Sequence, residues 1–341
     1  MMPQAVAPLQ AEVLQPAGLY ASAAGEAALR QLYNSTAAAL PLPHKERLVH
    51  TASFGRAHVL ICGPPAAPPL MLWHGATTPA PFMLAAPSLA PLVQRFRIHA
   101  PDIPCHAGSR SDPAVLDPAT HGHGRWCLQV VRALGLLPGS TSSGGDGTDS
   151  QGGDSWDACQ QQLPAVEPPF HAGVSIGADM LLDLAVVAPG AIRAAALLVP
   201  ARLQRGGGPA ALPTGLLLRC VLCSLLPCAW TERLMLSCIF DEPAAGDPLV
   251  EQVKLGIRYL RQYPPRPGVP TDEQLRLLKA PVFLAAAELD VWGPGQASID
   301  RARALWPPAQ LETLLLRGAR HVPSQQRMRQ VIERIAAFFE A

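Results

Sequence analysis

The chain has 341 residues, 49% of them hydrophobic and 16% charged, with a formal net charge of +1 at pH 7. That is enough apolar material for one large α/β domain, or for one domain carrying an inserted segment. The balance of 27 Lys and Arg against 26 Asp and Glu leaves no basic stripe, so no nucleic-acid partner is expected and a small-molecule substrate is.

The eight cysteines do not make a disulfide framework in a chain of this length. Cys220 and Cys223 have C-x-x-C spacing and Cys228 lies close by, but the surrounding run is apolar and has no neighbouring His, Asp or Glu. They are read as small buried hydrophobes, and no metal site is expected. The first 29 residues contain no Arg or Lys and include Glu12 and Glu26, which fits neither a secretory signal nor a transit peptide. The longest apolar stretch, 216–229, is interrupted by Arg219 and falls short of the ~20 residues a membrane span needs. The expectation is a soluble cytoplasmic protein without stable membrane insertion; nothing in the sequence speaks to its oligomeric state.

In chain order, residues 1–44 read as an N-terminal extension, with a short helix over 26–38 placed outside the core. Two strands, 47–51 and 57–62, are joined by the Phe54-Gly55 turn. A short apolar run at 70–73 ends at His74-Gly75, and another at 97–100 ends at Pro101-Asp102. Trp126, Val130, Val131 and Leu134 give 123–137 helical spacing. Residues 138–164 are rich in Gly, Ser and Asp, and are expected to be a disordered insertion at the edge of the sheet away from any ligand crevice. A strand at 169–174, a helix at 176–187 and a strand at 194–199 follow. Residues 201–270 break this rhythm with Gly/Pro joints and apolar helical pieces. Because they leave the carboxyl end of a strand, they are expected to form a helical lid over the crevice. Alternation resumes with a strand at 282–286, a helix at 296–305, a strand at 310–316 and a last amphipathic helix. This divides a core of 45–200 and 271–341 from the lid between them. Strands alternating with helices predict an α/β fold with a mostly parallel, doubly wound sheet.

The chemistry centres on Gly173-Val174-Ser175-Ile176-Gly177, a G-x-S-x-G between an apolar strand and a helix. The two glycines permit a sharp turn that lifts the serine hydroxyl off the top of the sheet. A serine hydroxyl needs a base, and of ten histidines only His321 lies well beyond Ser175. It follows the strand 310–316, on the same edge as the elbow. The acid that orients it should follow the preceding strand; Asp290 is the first choice and Glu288 the reserve. The oxyanion hole needs two backbone N–H groups. Ile176 supplies one, and Ala76, in the loop His74-Gly75-Ala76-Thr77, is expected to supply the other. Gly75 allows that loop its close turn. His74 precedes the serine and is read as bracing the loop rather than as the base.

With these segments assembled, the sequence resembles α/β-hydrolases of the carboxylesterase type, and bacterial esterase-like hydrolases in particular. The resemblance is carried by PLMLWHGA at 69–76, APDIPCHAGSRSD at 100–112, the elbow, ELDVWGP at 288–294 and GARHVP at 318–323. It implies an eight-stranded sheet with a helical cap inserted after the sixth strand, no cofactor, a Ser175–Asp290–His321 triad, and Ala76 and Ile176 as oxyanion donors. The chain departs from the family pattern at Cys105-His106-Ala107-Gly108, where a Gly-x-Gly turn is usual, and at Ala178, often a third glycine. The expected activity is hydrolysis of a carboxylic ester or related acyl bond of a small apolar substrate, through an acyl-serine. C–C bond hydrolases, lactonases, thioesterases and perhydrolases use the same triad. A hydrolase-fold ligand receptor or scaffold with little turnover is the reading from another class.

Overall fold

The computed structural model describes residues 18–137, 167–203, 214–226, 228–261 and 264–341. The first 17 residues of the expected extension, the expected insertion and part of the expected lid lie outside the described residues.

The sheet contains β1 (His44–Thr51), β2 (Gly55–Cys62), β3 (Pro69–Trp73), β4 (Arg97–Pro101), β5 (Phe170–Val174), β6 (Ala195–Leu198), β7 (Val282–Ala287) and β8 (Leu311–Leu316). Their order is β1-β2-β4-β3-β5-β6-β7-β8. β2 runs antiparallel to both neighbours, and the pairs from β4 to β8 are parallel. Each expected strand is present, with its ends moved by a few residues.

The helices are α1 (Ala23–Ala38), α2 (Ala80–Leu84), α3 (Ala90–Arg95), α4 (Gly122–Ala133), α5 (Ile176–Val187), α6 (Thr214–Leu225), α7 (Ala229–Leu236), α8 (Pro248–Tyr259), α9 (Asp272–Leu275), α10 (Gly295–Leu305) and α11 (Gln325–Glu340). Helices cover both faces of the sheet, which is why its central strands read as unbroken apolar runs rather than alternating ones. The alternation exists all the same, between two cores. Met71 and Trp73 of β3, with Val282, Leu284 and Ala286 of β7, pack against α4, α5 and α10. Leu70 and Leu72, with Phe283 and Ala285, face α2, α3 and α11. Trp73 and Trp126 meet edge to face in the first core with centroids 5.9 Å apart, and Phe170 and Phe339 anchor the second. Each fully buried large side chain contributes about 1.5–3 kcal/mol.

One expectation needs correcting. Helix α1 lies on the core, not outside it: Leu29 and Tyr33 are fully buried and Ala37 nearly so. These residues repeat every four positions and make one narrow apolar face, which the many alanines around it obscure in sequence. The Tyr33 hydroxyl donates to Asp102 Oδ2 at 2.8 Å.

Asp102 follows β4, is wholly buried, and is the polar hub of this region. Its Oδ1 accepts the Ala80 N–H at 2.9 Å, its Oδ2 lies 3.1 Å from His58 Nδ1, and the Arg110 N–H reaches the same oxygen at 3.3 Å. Burial would raise the Asp102 carboxyl, but the His58 contact and the Ala80 N–H together hold it below the usual carboxylate range. Burial also opposes charge on His58, and its bonds to Asp102 and Glu46 outweigh this, so its pKa is raised. One carboxylate thereby ties α1, β2 and the start of α2 together. In the adjoining turn, where the family pattern has glycine, Cys105 adopts φ 61° and Gly108 φ 79°.

Helices α6, α7 and α8 follow β6 and have a small core of their own, including Met235, Leu236, Phe240, Val250 and Val253. Leu216 is buried, whereas Leu218, Leu225 and Trp230 are exposed. Among the described residues no helix is long and apolar enough to cross a membrane.

Candidate active site

The strand-to-helix junction at Ser175 is strained, and two glycines make it feasible. Ser175 has φ 54° and ψ −119°, a conformation a non-glycine residue adopts at a cost of about 1–3 kcal/mol. Its N–H is held by the Leu198 carbonyl at 2.9 Å, and its own carbonyl accepts from Ala178 and Asp179 in the first turn of α5. A Cβ on Gly173 would sit 2.5 Å from the Gly177 carbonyl oxygen, and one on Gly177 would sit 2.3 Å from the Trp73 oxygen. Both are backbone contacts that cannot swing away. Gly177→Ala is therefore expected to separate β3 from α5 and to destabilise the fold by about 2–4 kcal/mol. Urea unfolding monitored by tryptophan fluorescence would measure it, and an unchanged midpoint would show that the elbow can relax.

The structure brings the three residues picked from sequence into one chain of hydrogen bonds. His321, after β8, places Nε2 2.9 Å from Ser175 Oγ and Nδ1 2.8 Å from Asp290 Oδ2. Asp290 ends the turn after β7, and its other oxygen accepts the Trp292 N–H at 2.9 Å. Trp292 also stands edge-on to the His321 ring, with centroids 6.1 Å apart. The His321 and Asp290 side chains are 9% and 5% exposed, so bulk water does not compete for the pair. Glu288 does not reach His321; it accepts the Gly318 N–H at 2.7 Å and braces the turn that carries the histidine.

His74 holds the other side of the site. Its Nε2 accepts the Ile103 N–H at 2.8 Å, which leaves Nδ1–H to donate to the Gly75 carbonyl at 2.7 Å. Burial lowers its pKa and keeps the ring neutral, as these two roles require. A Cβ on Gly75 would come within 3.6 Å of Ser175 Cβ, so this loop passes directly beside the nucleophile candidate. The N–H groups of Ala76 and Ile176 donate to no acceptor among the described residues.

Ser175 and His321 open into a cavity of about 750 Å³. Leu216, Leu249, Val253 and Ile257 line it from the α6 and α8 side. Its polar exceptions include Asp179, Arg266 and Trp292, and the Arg266 guanidinium lies 4.7 Å from the centroid of Trp292. Asp179 and Arg266 were not legible as site residues, because the first reads as a helix position and the second sits in a Pro-rich joint. Asp102 was visible only as the end of a strand. No group of three or more His, Cys, Asp or Glu is arranged to hold a metal ion among the described residues.

This strand order, with a strained serine at the β5–α5 junction, defines the α/β-hydrolase fold. No protein-family model matches the chain. It is 24% identical over 318 residues to an uncharacterized carboxylesterase, nap, of Bacillus subtilis, covering 91% of this chain and 92% of the other. The crystal structure of the naproxen esterase (carboxylesterase NP) from Bacillus subtilis superposes with a TM-score of 0.69 at 24% identity, over 91% of this chain and 96% of that one. Carboxylesterase CesB (YbfK), from the same organism, gives 0.67 at 21% identity over 93% and 98%.

Proposed function

We propose that the protein is a serine hydrolase that cleaves a carboxylic ester of a small, largely apolar substrate. The observation that carries this reading is the unbroken chain from Ser175 Oγ through His321 to Asp290 at the wall of an apolar cavity. Ser175 Oγ attacks the ester carbonyl while His321 Nε2 takes its proton, and Asp290 stabilises the imidazolium that forms. The N–H groups of Ala76 and Ile176 receive the oxyanion, and His321 then protonates the departing alcohol. Water, activated by His321, releases the acid from the acyl-serine. Residues 201–270 serve as a lid, and α6 and α8 supply the apolar wall that selects the substrate. The similar proteins named carboxylesterase support ester cleavage over the other acyl and C–C bond reactions of this triad. The uninterrupted hydrogen bonding argues against a receptor with little turnover.

The test is a fluorophosphonate probe together with a series of p-nitrophenyl esters of increasing acyl length. Wild type should label and turn over. Ser175→Ala should lose the label and at least about 10⁴-fold in kcat. Equal labelling and equal rates would end the proposal.

A further inference from the structure

Asp179 is the only carboxylate among the described residues lining the cavity. It lies one turn after Ser175 in α5, on the same helix face, and is 2% exposed. Its Oδ1 accepts the Arg202 N–H at 3.0 Å, and Oδ2 has no hydrogen-bond partner among the described residues. That oxygen is not sealed from solvent, and Asp179 is part of the cavity wall. A carboxyl confined in an apolar cavity with an unused oxygen costs stability unless something completes it. Neither the chain Ser175–His321–Asp290 nor the oxyanion N–H groups involve it.

We propose that Asp179 is a specificity-determining residue that accepts a hydrogen bond from a hydroxyl group of the substrate; this rests on the esterase reading of the same cavity. One helical turn is about 5–6 Å along the axis. A hydroxyl that reaches Asp179 while the carbonyl meets Ser175 therefore lies within a few bonds of the scissile carbonyl. Arg202 and Arg266 bear on Asp179 as positive charges, which favours a neutral donor over an ammonium group. Burial lifts the Asp179 carboxyl to about 7 against these charges, so above that pH it is an ionised and stronger acceptor. The substrate class is thus an ester that is apolar along most of its length and carries one hydroxyl close to the reacting carbonyl.

Matched ester pairs test this at about pH 8.5, where Asp179 is ionised. On the acyl side they are the p-nitrophenyl esters of each enantiomer of 3-hydroxybutanoate and of 3-methylbutanoate. On the alcohol side they are the 2-hydroxyethyl and propyl esters of butanoate. Wild type should prefer the hydroxyl member of one pair by about tenfold in kcat/KM. Asp179→Leu, similar in shape, should bring that ratio to one or below while still labelling with a fluorophosphonate. If that variant does not label, Asp179→Asn decides. Its oxygen stays on the Arg202 N–H and its NH₂ faces the cavity, so the ratio should fall at least about threefold. A wild-type preference for the methyl or propyl member, or a ratio that the labelling variant leaves unchanged, overturns the role of Asp179 while leaving the esterase standing. Loss of all turnover and labelling in wild type would overturn the esterase reading instead.

Discussion

Asp290→Asn should lower kcat by about 10³–10⁴-fold with little change in stability. The size follows from the second hydrogen bond that Asp290 makes. Its Oδ1 accepts the Trp292 N–H, and in the variant that donor would hold the amide oxygen. The NH₂ group would then face His321 Nδ1, which must become an acceptor. The imidazole proton would move to Nε2, and the nitrogen nearest Ser175 Oγ could no longer take a proton. Glu288→Gln is the control from the same turn. Its bond to the Gly318 N–H survives in the amide, so kcat should stay within about threefold. Steady-state kinetics on one activated ester, with urea unfolding of both variants, would check this. Similar losses in the two variants would mean that Asp290 is not the group orienting the histidine.

The largest stability effect is expected at Asp102. Asp102→Ala should destabilise the fold by about 3–5 kcal/mol, since it leaves the Tyr33 hydroxyl, the Ala80 N–H and His58 without their buried acceptor. Against a typical total of about 5–15 kcal/mol, that is enough to populate the unfolded state on modest heating. An exposed truncation such as Leu218→Ala should stay within about 0.5 kcal/mol. The effect should depend on pH at both ends. The depressed carboxyl contributes stability that is present above its ordinary value of 3.8 and is lost as pH falls through its folded value. The raised His58 contributes stability that is complete below 6.5 and is lost as pH rises through its folded value. The difference between wild type and Asp102→Ala should therefore be widest between these limits and narrow beyond them. Denaturant midpoints across pH would show it, and a flat difference would mean that packing, rather than the ion pair, accounts for the loss.

The elements were readable wherever a local rule governs them. An apolar strand running into Gly-x-Ser-x-Gly, and strands alternating with helices, are local patterns, and chain order alone nominated His321 and Asp290. The exclusion of Glu288 was not local. Glu288 and Asp290 share one turn, and only the folded positions of Gly318 and Trp292 give each carboxylate its partner. Helix α1 was misplaced for a related reason. A single Leu29–Tyr33–Ala37 face among alanines has too little apolar contrast to announce itself, and it is buried because α2 and α8, from distant parts of the chain, pack against it. Asp179 is the furthest case. Its position on α5 puts it on the same face as Ser175, but an acid four residues after a serine is unremarkable in sequence. Arg202, Arg266 and the apolar wall from α6 and α8 come from distant segments and give that carboxyl its environment. Sequence by itself determined the order of elements and the nucleophile candidate, because strand period, helix period and glycine conformation act over a few residues. Tertiary structure decided which carboxylate faces which donor, because burial and hydrogen-bond partners are set by parts of the chain far apart in number.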